Sequence, residues 1–273
     1  MELISVVVPT YNQAAYVEAC LDSVYFQDYP QLEIIIVDDC STDGTADVVA
    51  KWMENKEVEE VSFAARYDAE ADVIERTVHK RYEKAGRSIF YERNAENLGS
   101  TRNYNRGFQM ARGEYCTFIA SDDIMHPQML STLARPLAGD VADFVYADMF
   151  VIDDAQRILR EFKLPDYSFE KSFCDWYLCG VATLYRRSLH EAFGYYDAAS
   201  DADDHECYLR FALGGARFLH IAKTLYSVRS HDRRQVGLHG PERFGKLLEA
   251  SKRLVLKARA ALRQGARPGG EPA

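Results

Sequence analysis

Ile4-Ser5-Val6-Val7-Val8-Pro9-Thr10-Tyr11-Asn12-Gln13 is the stretch on which the reading of the fold turns. Ile4 to Val8 is a short, β-branched run with no polar face, the mark of a strand buried on both sides. Pro9 closes it, and Thr10 to Gln13 follow as a loop. Ala14 to Phe26 then reads as a helix, with Ala15, Val17, Leu21, Val24 and Tyr25 near one face. Glu33-Ile34-Ile35-Ile36-Val37 is a second buried strand. It runs into Asp38-Asp39-Cys40-Ser41-Thr42-Asp43-Gly44-Thr45, a loop rich in N-cap residues that opens a helix from about 45 to 53. Strand, helix, strand and helix with short connections predict βαβ units and an α/β fold on a mainly parallel sheet.

Ligands of such sheets sit beyond the carboxyl ends of the strands. The Thr10 loop and the Asp38-Asp39 loop both lie there. A third polar end follows: Tyr115 to Ala120 reads as a strand and stops at Ser121-Asp122-Asp123. Adjacent carboxylates repel unless something cationic stands beside them. A divalent metal holding a diphosphate would satisfy the pair. For an isolated Asp-Asp pair a solvated loop is the plainer reading, and it is the company of the other two loops that favours a site.

The remaining chain is read more coarsely. Residues 54–86 are charged and helix-forming and predict a solvated helical insertion. Ile89 to Tyr91 resumes the sheet, and a helix follows Asn97-Leu98-Gly99 to about Ala111. Pro127 to Leu137 reads as helix, and Asp143 to Met149, Val151-Ile152 and Gly180 to Tyr185 as strands. Asp197 to Asp204 is an acidic loop, and Glu206 to Leu213 a helix stopped by Gly214-Gly215. Phe218 to Ile221 and Thr224 to Val228 predict a short hairpin. A last helix spans about 244–263, and 265–273 is expected to be disordered.

With 273 residues, 47% of them hydrophobic, the chain has ample material for a core. A net charge of −9 argues against nucleic-acid binding, which wants a basic face. No apolar run reaches the ~18 residues needed to cross a bilayer, and no basic segment precedes an apolar one at the start, so a cytoplasmic location is expected. Cys20, Cys40, Cys116, Cys174, Cys179 and Cys207 are scattered, without metal-binding spacing, and read as free thiols. Residues 243–273 carry a net charge of +6, leaving −15 for the rest.

Four motifs in order carry a resemblance. They are Val6-Val7-Val8-Pro9-Thr10-Tyr11-Asn12, Val37-Asp38-Asp39 through Thr45, Asn97-Leu98-Gly99 with Arg102, and Gly113-Glu114-Tyr115 leading to Ser121-Asp122-Asp123. Over about 1–235 the chain resembles glycosyltransferase family 2, the inverting enzymes of GT-A fold. The resemblance implies a Rossmann-like nucleotide-sugar-binding half at 1–123, a smaller acceptor-binding half at 124–235, and a basic C-terminal helix and tail at 236–273. It implies that Pro9, Thr10, Tyr11 and Asn12 line the donor pocket, with Asp39 accepting from the imide N–H of a uracil. Arg102 would reach the base or diphosphate, Asp122 the ribose, and Asp123 a Mn²⁺ or Mg²⁺ ion. Asp38 is as well explained by bracing its loop.

Asp203-Asp204-His205-Glu206 resembles the family's acidic pair, with Asp204 in the place of the base that deprotonates the acceptor hydroxyl. Neighbouring acids would raise its pKa. Tyr226-Ser227-Val228-Arg229-Ser230-His231 resembles the end of the catalytic core, where His231 would complete the metal shell. Trp176, Gly180 and Asp203 fall where the family builds the acceptor cleft. The implied partners are a nucleotide-sugar, UDP-linked by preference, and a saccharide or lipid-linked acceptor of the kind used in bacterial surface polysaccharide or glycoconjugate synthesis.

Two rival functions fit these residues less well. A sugar nucleotidylyltransferase needs Gly, Arg and Lys after its first strand, where this chain has Pro-Thr-Tyr-Asn. A non-catalytic nucleotide-sugar binder would have no use for Asp123, Asp204 and His231 together. The basic C-terminal helix has Leu247, Leu248, Leu254 and Val255 toward one side. Such a helix either docks on the domain or makes a peripheral contact with the inner face of a membrane.

Overall fold

The computed structural model describes residues 1–54, 62–68, 73–79, 86–175, 179–230 and 241–269. In chain order the elements are β1 (Ile4–Thr10), α1 (Val17–Tyr25), β2 (Leu32–Asp38), α2 (Thr45–Glu54), β3 (Ser62–Asp68), β4 (Val73–His79), β5 (Arg87–Arg93) and α3 (Ser100–Met110). They continue with β6 (Tyr115–Phe118), β7 (Ile124–Met125), α4 (Met129–Ala138), β8 (Phe144–Ile152), β9 (Ile158–Phe162) and a π-helical turn, Glu170–Asp175. The chain finishes with β10 (Thr183–Arg186), α5 (Ser188–Phe193), α6 (Asp203–Leu213), β11 (Phe218–Arg229) and α7 (Pro241–Arg263).

One nine-stranded sheet runs β5-β2-β1-β6-β10-β8-β11-β7, with β9 on β8. β5, β2, β1 and β6 are mutually parallel, as the strand–helix alternation requires. Beyond them the sheet is mixed: β10 is antiparallel to β6 and β8, and β11 is parallel to β8. The register pairs Thr10 with Asp38 and Val7 with Phe118. The loops after β1, β2 and β6 therefore open on one edge.

Both faces of the sheet are covered. Val6 and Val8 of β1 pack with Leu21 and Val24 of α1 and Leu130 and Leu133 of α4. Val7 points the other way, into a cluster with Phe108, Phe118, Phe144, Tyr185 and Phe211. Period-two alternation within an all-apolar run thus feeds two cores. On the second face α3 lies so close to β1 that a Cβ on Gly107 would stand 2.2 Å from Val7 Cγ1 and 3.3 Å from Val37 Cγ2. Gly107→Ala is expected to destabilise the fold by about 1–3 kcal/mol in urea denaturation, because two buried strands would have to move. An unchanged midpoint would show that α3 sits further out.

Four sequence expectations change. In the insertion at 54–86, the described residues 62–68 and 73–79 form an antiparallel β-ribbon, β3 with β4, paired from Ser62↔His79 to Asp68↔Val73, where part of the expected helix would lie, and 55–61, 69–72 and 80–85 lie outside the described residues. Phe63, Tyr67, Val73, Ile74, Thr77 and Val78 supply the β-forming residues that the charge count obscured. The hairpin expected within 218–228 is one strand, β11, running parallel to β8 across irregularities between Ile221 and Tyr226. The polar Lys223-Thr224 pair marks that bulge, not a turn. The acidic loop ends earlier, because Asp203 and Asp204 already belong to the first turn of α6. Finally, 265–269 is ordered against the domain: Gly269 N–H donates to Ala212 O (2.9 Å) and Tyr167 Oη to Gly269 O (3.2 Å).

Candidate active site

The three strand-end loops and the start of α6 line a cleft of about 200 Å³ that opens to solvent. Pro9, Thr10, Tyr11 and Gln13 form one part of its wall, and Asp39, Asn97, Gly99, Ser100, Asn103 and Tyr104 another. Ser121, Asp122, Asp123 and Tyr226 lie along the end of β6, and Val181, Asp203 and Asp204 complete the ring. Side-chain bonds knit the loops together. Ser121 Oγ donates to Thr10 Oγ1 (3.0 Å), and Asn12 N–H donates to Ser41 Oγ (2.9 Å).

Asp39 is buried and accepts from Asn94 Nδ2 (2.8 Å), Leu98 N–H (2.8 Å) and Gly99 N–H (2.9 Å). It therefore shapes the Asn97–Gly99 loop. Three of roughly four acceptor positions on a carboxylate are used, which leaves about one for a ligand. Asp38 braces its own loop, accepting from Ser41 N–H (2.8 Å) and Tyr91 Oη (3.0 Å). Asn12, at φ +53°, does likewise: its Oδ1 accepts from Thr42 N–H (2.8 Å), and it is not part of the cleft wall.

Asp123 is held by β11. Its Oδ2 accepts from Tyr226 Oη (3.0 Å) and its Oδ1 from Arg229 N–H (2.8 Å). The buried Arg229 guanidinium lies under the same loop. Its Nε donates to Asp122 O (2.8 Å), its Nη1 to Asp153 O (3.1 Å) and Asp154 O (3.2 Å), and it stacks 5.1 Å from the Tyr16 ring centre. Thus β11 grips both Asp122 and Asp123, and Arg229 ties that grip to the Asp153–Asp154 turn and to Tyr16.

Asp203 and Asp204 enter from the other side. Asp203 Oδ2 accepts from Thr101 Oγ1 (2.6 Å) and its Oδ1 from Asp204 N–H (3.0 Å). Asp204 Oδ1 is buried and has no hydrogen-bond partner among the described residues. Burial, then the neighbouring Asp203 charge, push the Asp204 carboxyl well above its ordinary value of 3.8. Burial raises Asp203 as well, against the opposing bond from Thr101. α6 is anchored behind them by Arg210, which binds Glu206 (2.8 Å), Tyr195 O (2.8 Å) and Phe193 O. An unpartnered carboxylate with a raised pKa, lining a cleft, is equipped to take a proton.

Of the residues expected from sequence, Pro9, Thr10, Tyr11, Asp39, Asp122, Asp123, Asp203 and Asp204 meet in this cleft. Arg102 does not: it is exposed on α3 and outside the wall. Gly180 adjoins the wall residue Val181. Its φ of +62°, and the 2.9 Å that would separate an added Cβ from Leu164 Cδ1, explain the glycine. Trp176 and His231 lie outside the described residues. Gln13, Ser100, Asn103 and Tyr104 were missed. The last three follow Asn97-Leu98-Gly99 at i, i+3 and i+4 of a helix, a spacing that marks one face. His126 is structural: its ring bridges Thr224 O (3.1 Å) and Ser227 Oγ (2.8 Å).

Among the described wall residues there are five aspartates and neither Lys nor Arg. A diphosphate entering such a wall would meet like charge, and hard carboxylate oxygens suit Mg²⁺ or Mn²⁺. The residues present therefore fit a divalent ion at Asp123, beside Asp122. No three His, Cys, Asp or Glu among the described residues are arranged to hold one alone, so a bound ion would draw further ligands from phosphate and water.

A mixed α/β sheet with a carboxylate-lined cleft at its parallel edge resembles the GT-A glycosyltransferase structures. The family model described as glycosyl transferase family 2 matches residues 5–66 and 74–194, and the chain belongs to that family. Glycosyltransferase GlyG of Streptococcus pneumoniae serotype 4 is 32% identical over 154 residues, which is 56% of this chain and 41% of GlyG. A PGL/p-HBAD biosynthesis glycosyltransferase of Mycobacterium bovis is 26% identical over 234 residues, or 82% of this chain and 77% of that protein. This chain spans 41% of GlyG and 20% of the related GlyA. Among solved structures, S. aureus TarS 1-349 in complex with UDP-GlcNAc superposes with a TM-score of 0.67 at 21% identity, covering 94% of this chain and 66% of that one. The mannosyltransferase PcManGT from Pyrobaculum calidifontis, in complex with GDP-Man and Mn²⁺, gives 0.61 at 21% identity, covering 97% and 75%.

Proposed function

We propose that this chain is an inverting glycosyltransferase that moves a sugar from a nucleoside-diphosphate donor, UDP-linked by preference, to a hydroxyl of a saccharide or lipid-linked acceptor. The observation that carries this reading is the pairing, in one cleft, of the clamped Asp122-Asp123 with the unpartnered, proton-seeking Asp204. Residues 1–123 would hold the nucleotide and 124–235 the acceptor. Membership of family 2 and the nucleotide-sugars bound by TarS and PcManGT support the donor class.

Pro9, Thr10 and Tyr11 would enclose the base, and the acceptor position left on Asp39 would receive an imide N–H. Asp122 would meet the ribose. Asp123 would hold the divalent ion, which when bound neutralises charge on the departing diphosphate. Asp204 takes the proton from the acceptor hydroxyl as that oxygen attacks the anomeric carbon, and the diphosphate leaves from the opposite face. The displacement is single, so no covalent sugar–enzyme bond is required. Asp203, tied to Thr101, keeps the first turn of α6 in place and adds the negative charge that makes Asp204 a stronger base.

A thermal-shift screen of UDP- and GDP-sugars with Mn²⁺ tests the donor assignment. A UDP-sugar at ~100 times its Kd should add about 2.7 kcal/mol to stability and raise Tm accordingly. No shift with any nucleotide-sugar would refute the donor class, and a shift with GDP-sugars alone would refute the preference.

A further inference from the structure

We propose that the outward face of α7 is a docking surface for an anionic phospholipid bilayer. Two independent features of the helix point there. The first is charge: residues 243–273 carry net +6 on a protein whose remainder carries −15. The second is apolar exposure. Leu256, which lies opposite the buried Val255 and Ala258, is 56% exposed, one of the more exposed large hydrophobic side chains among the described residues.

The helix is held in one orientation, so its outward face is defined. Ala250, Val255 and Ala258 are buried, and Ala258 joins the cluster that contains Phe173 and Cys174 of the π-helical turn. Arg259 Nε donates to Cys174 O (2.6 Å), which commits that arginine to the domain. At a helical period the opposite side presents Lys252, Arg253, Lys257 and Arg263 around Leu256, all exposed. Glu249, 3.8 Å from Lys252, is the acid on that side. Basic side chains ringing a protruding leucine suit a surface of phosphate headgroups over acyl chain. A soluble protein partner of neutral character would leave the charges unpaired.

No helix among the described residues is long and apolar enough to cross a membrane, so the contact is peripheral.

Co-sedimentation of the full chain with vesicles tests the proposal without donor, metal or acceptor, so its failure would leave the glycosyltransferase reading intact. The protein is expected to pellet with phosphatidylcholine–phosphatidylglycerol vesicles at low salt, not with phosphatidylcholine alone, and to be released by high salt. The triple variant K252E/R253E/K257E should reduce the bound fraction at least about tenfold, and Leu256→Ser several-fold at fixed salt. Both variants should keep the wild-type Tm, since these side chains are exposed. Equal binding by the charge-reversed variant, or no pelleting of the wild type, overturns the proposal. Retention on immobilised polyglutamate with no vesicle binding would also overturn it, in favour of an acidic protein partner.

Discussion

Asp204→Asn is expected to lower kcat for sugar transfer by about 10²–10⁴-fold while leaving donor affinity nearly unchanged. The change keeps the volume of the side chain and removes its basicity. Asp204 Oδ1 has no hydrogen-bond partner among the described residues to lose. The same substitution should make the protein more stable at neutral pH. A carboxyl whose folded pKa is raised binds its proton more tightly in the folded chain than in the unfolded one. Stability from that group is fully present below the unfolded value of 3.8 and is lost as pH rises through the folded value. An amide at the same position escapes the loss. The Tm of the variant should therefore exceed the wild type at pH 7, and the gap should close on acidification. In the wild type, the acidic limb of kcat/KM should lie above the usual aspartate range, because Asp204 must be ionised to act. Near-normal turnover in the variant would remove Asp204 from the mechanism, whatever its effect on Tm.

The coexistence of those two outcomes also bears on why the residue is an aspartate at all. Burial and the Asp203 charge both oppose its ionisation, which is a cost to the fold. The first turn of α6 offsets part of it, since helix N-termini favour negative charge. Arg210 holds the rest of the helix rigid against the strain, through Glu206 and the carbonyls of Phe193 and Tyr195. A group kept in a poor environment by strong bonds elsewhere is more economically explained by reactivity than by packing.

How far the sequence disclosed this site depended on the kind of signal each residue emitted. β1, β2 and β6 are apolar runs ended by polar loops, and a buried parallel strand leaves few other readings. Asp39, Asp122, Asp123 and Asp204 were therefore legible from strand order and resemblance together. Arg102 was misplaced because a motif gives residue types and spacing but not helix phase; α3 turns it to solvent and presents Ser100, Asn103 and Tyr104 instead. The ribbon β3–β4 was obscured because interleaved charges suit either an exposed helix or an exposed strand, and only its β-branched and aromatic residues favour the latter. The clamp made by Arg229 could not be read at all. It joins residues 75 to 107 positions apart in sequence through backbone carbonyls and an amide, which carry no side-chain signature.

That clamp sets the second large effect. Asp123→Asn is expected to weaken Mn²⁺-dependent donor binding by about 10²-fold or more, since the ligand itself is altered while outer contacts alone typically account for 10–100-fold. Tyr226→Phe removes one bond that orients Asp123, and Arg229→Lys removes the fork that grips Asp122 O, Asp153 O and Asp154 O, which a point-like ammonium cannot replace. These two variants retain both carboxylates. Their losses should be smaller, should fall on KM for the donor more than on kcat, and should be recovered by raising Mn²⁺. Asp123→Asn should not be recovered, because added metal cannot restore a missing anionic ligand. Calorimetric titration of a UDP-sugar at several Mn²⁺ concentrations separates the two behaviours. If Asp123→Asn kept wild-type, Mn²⁺-dependent affinity, Asp123 would be a brace for β11 instead. The cation would then belong to Asp122 and the donor phosphates, and the contacts from Tyr226 and Arg229 would serve the fold rather than the ligand.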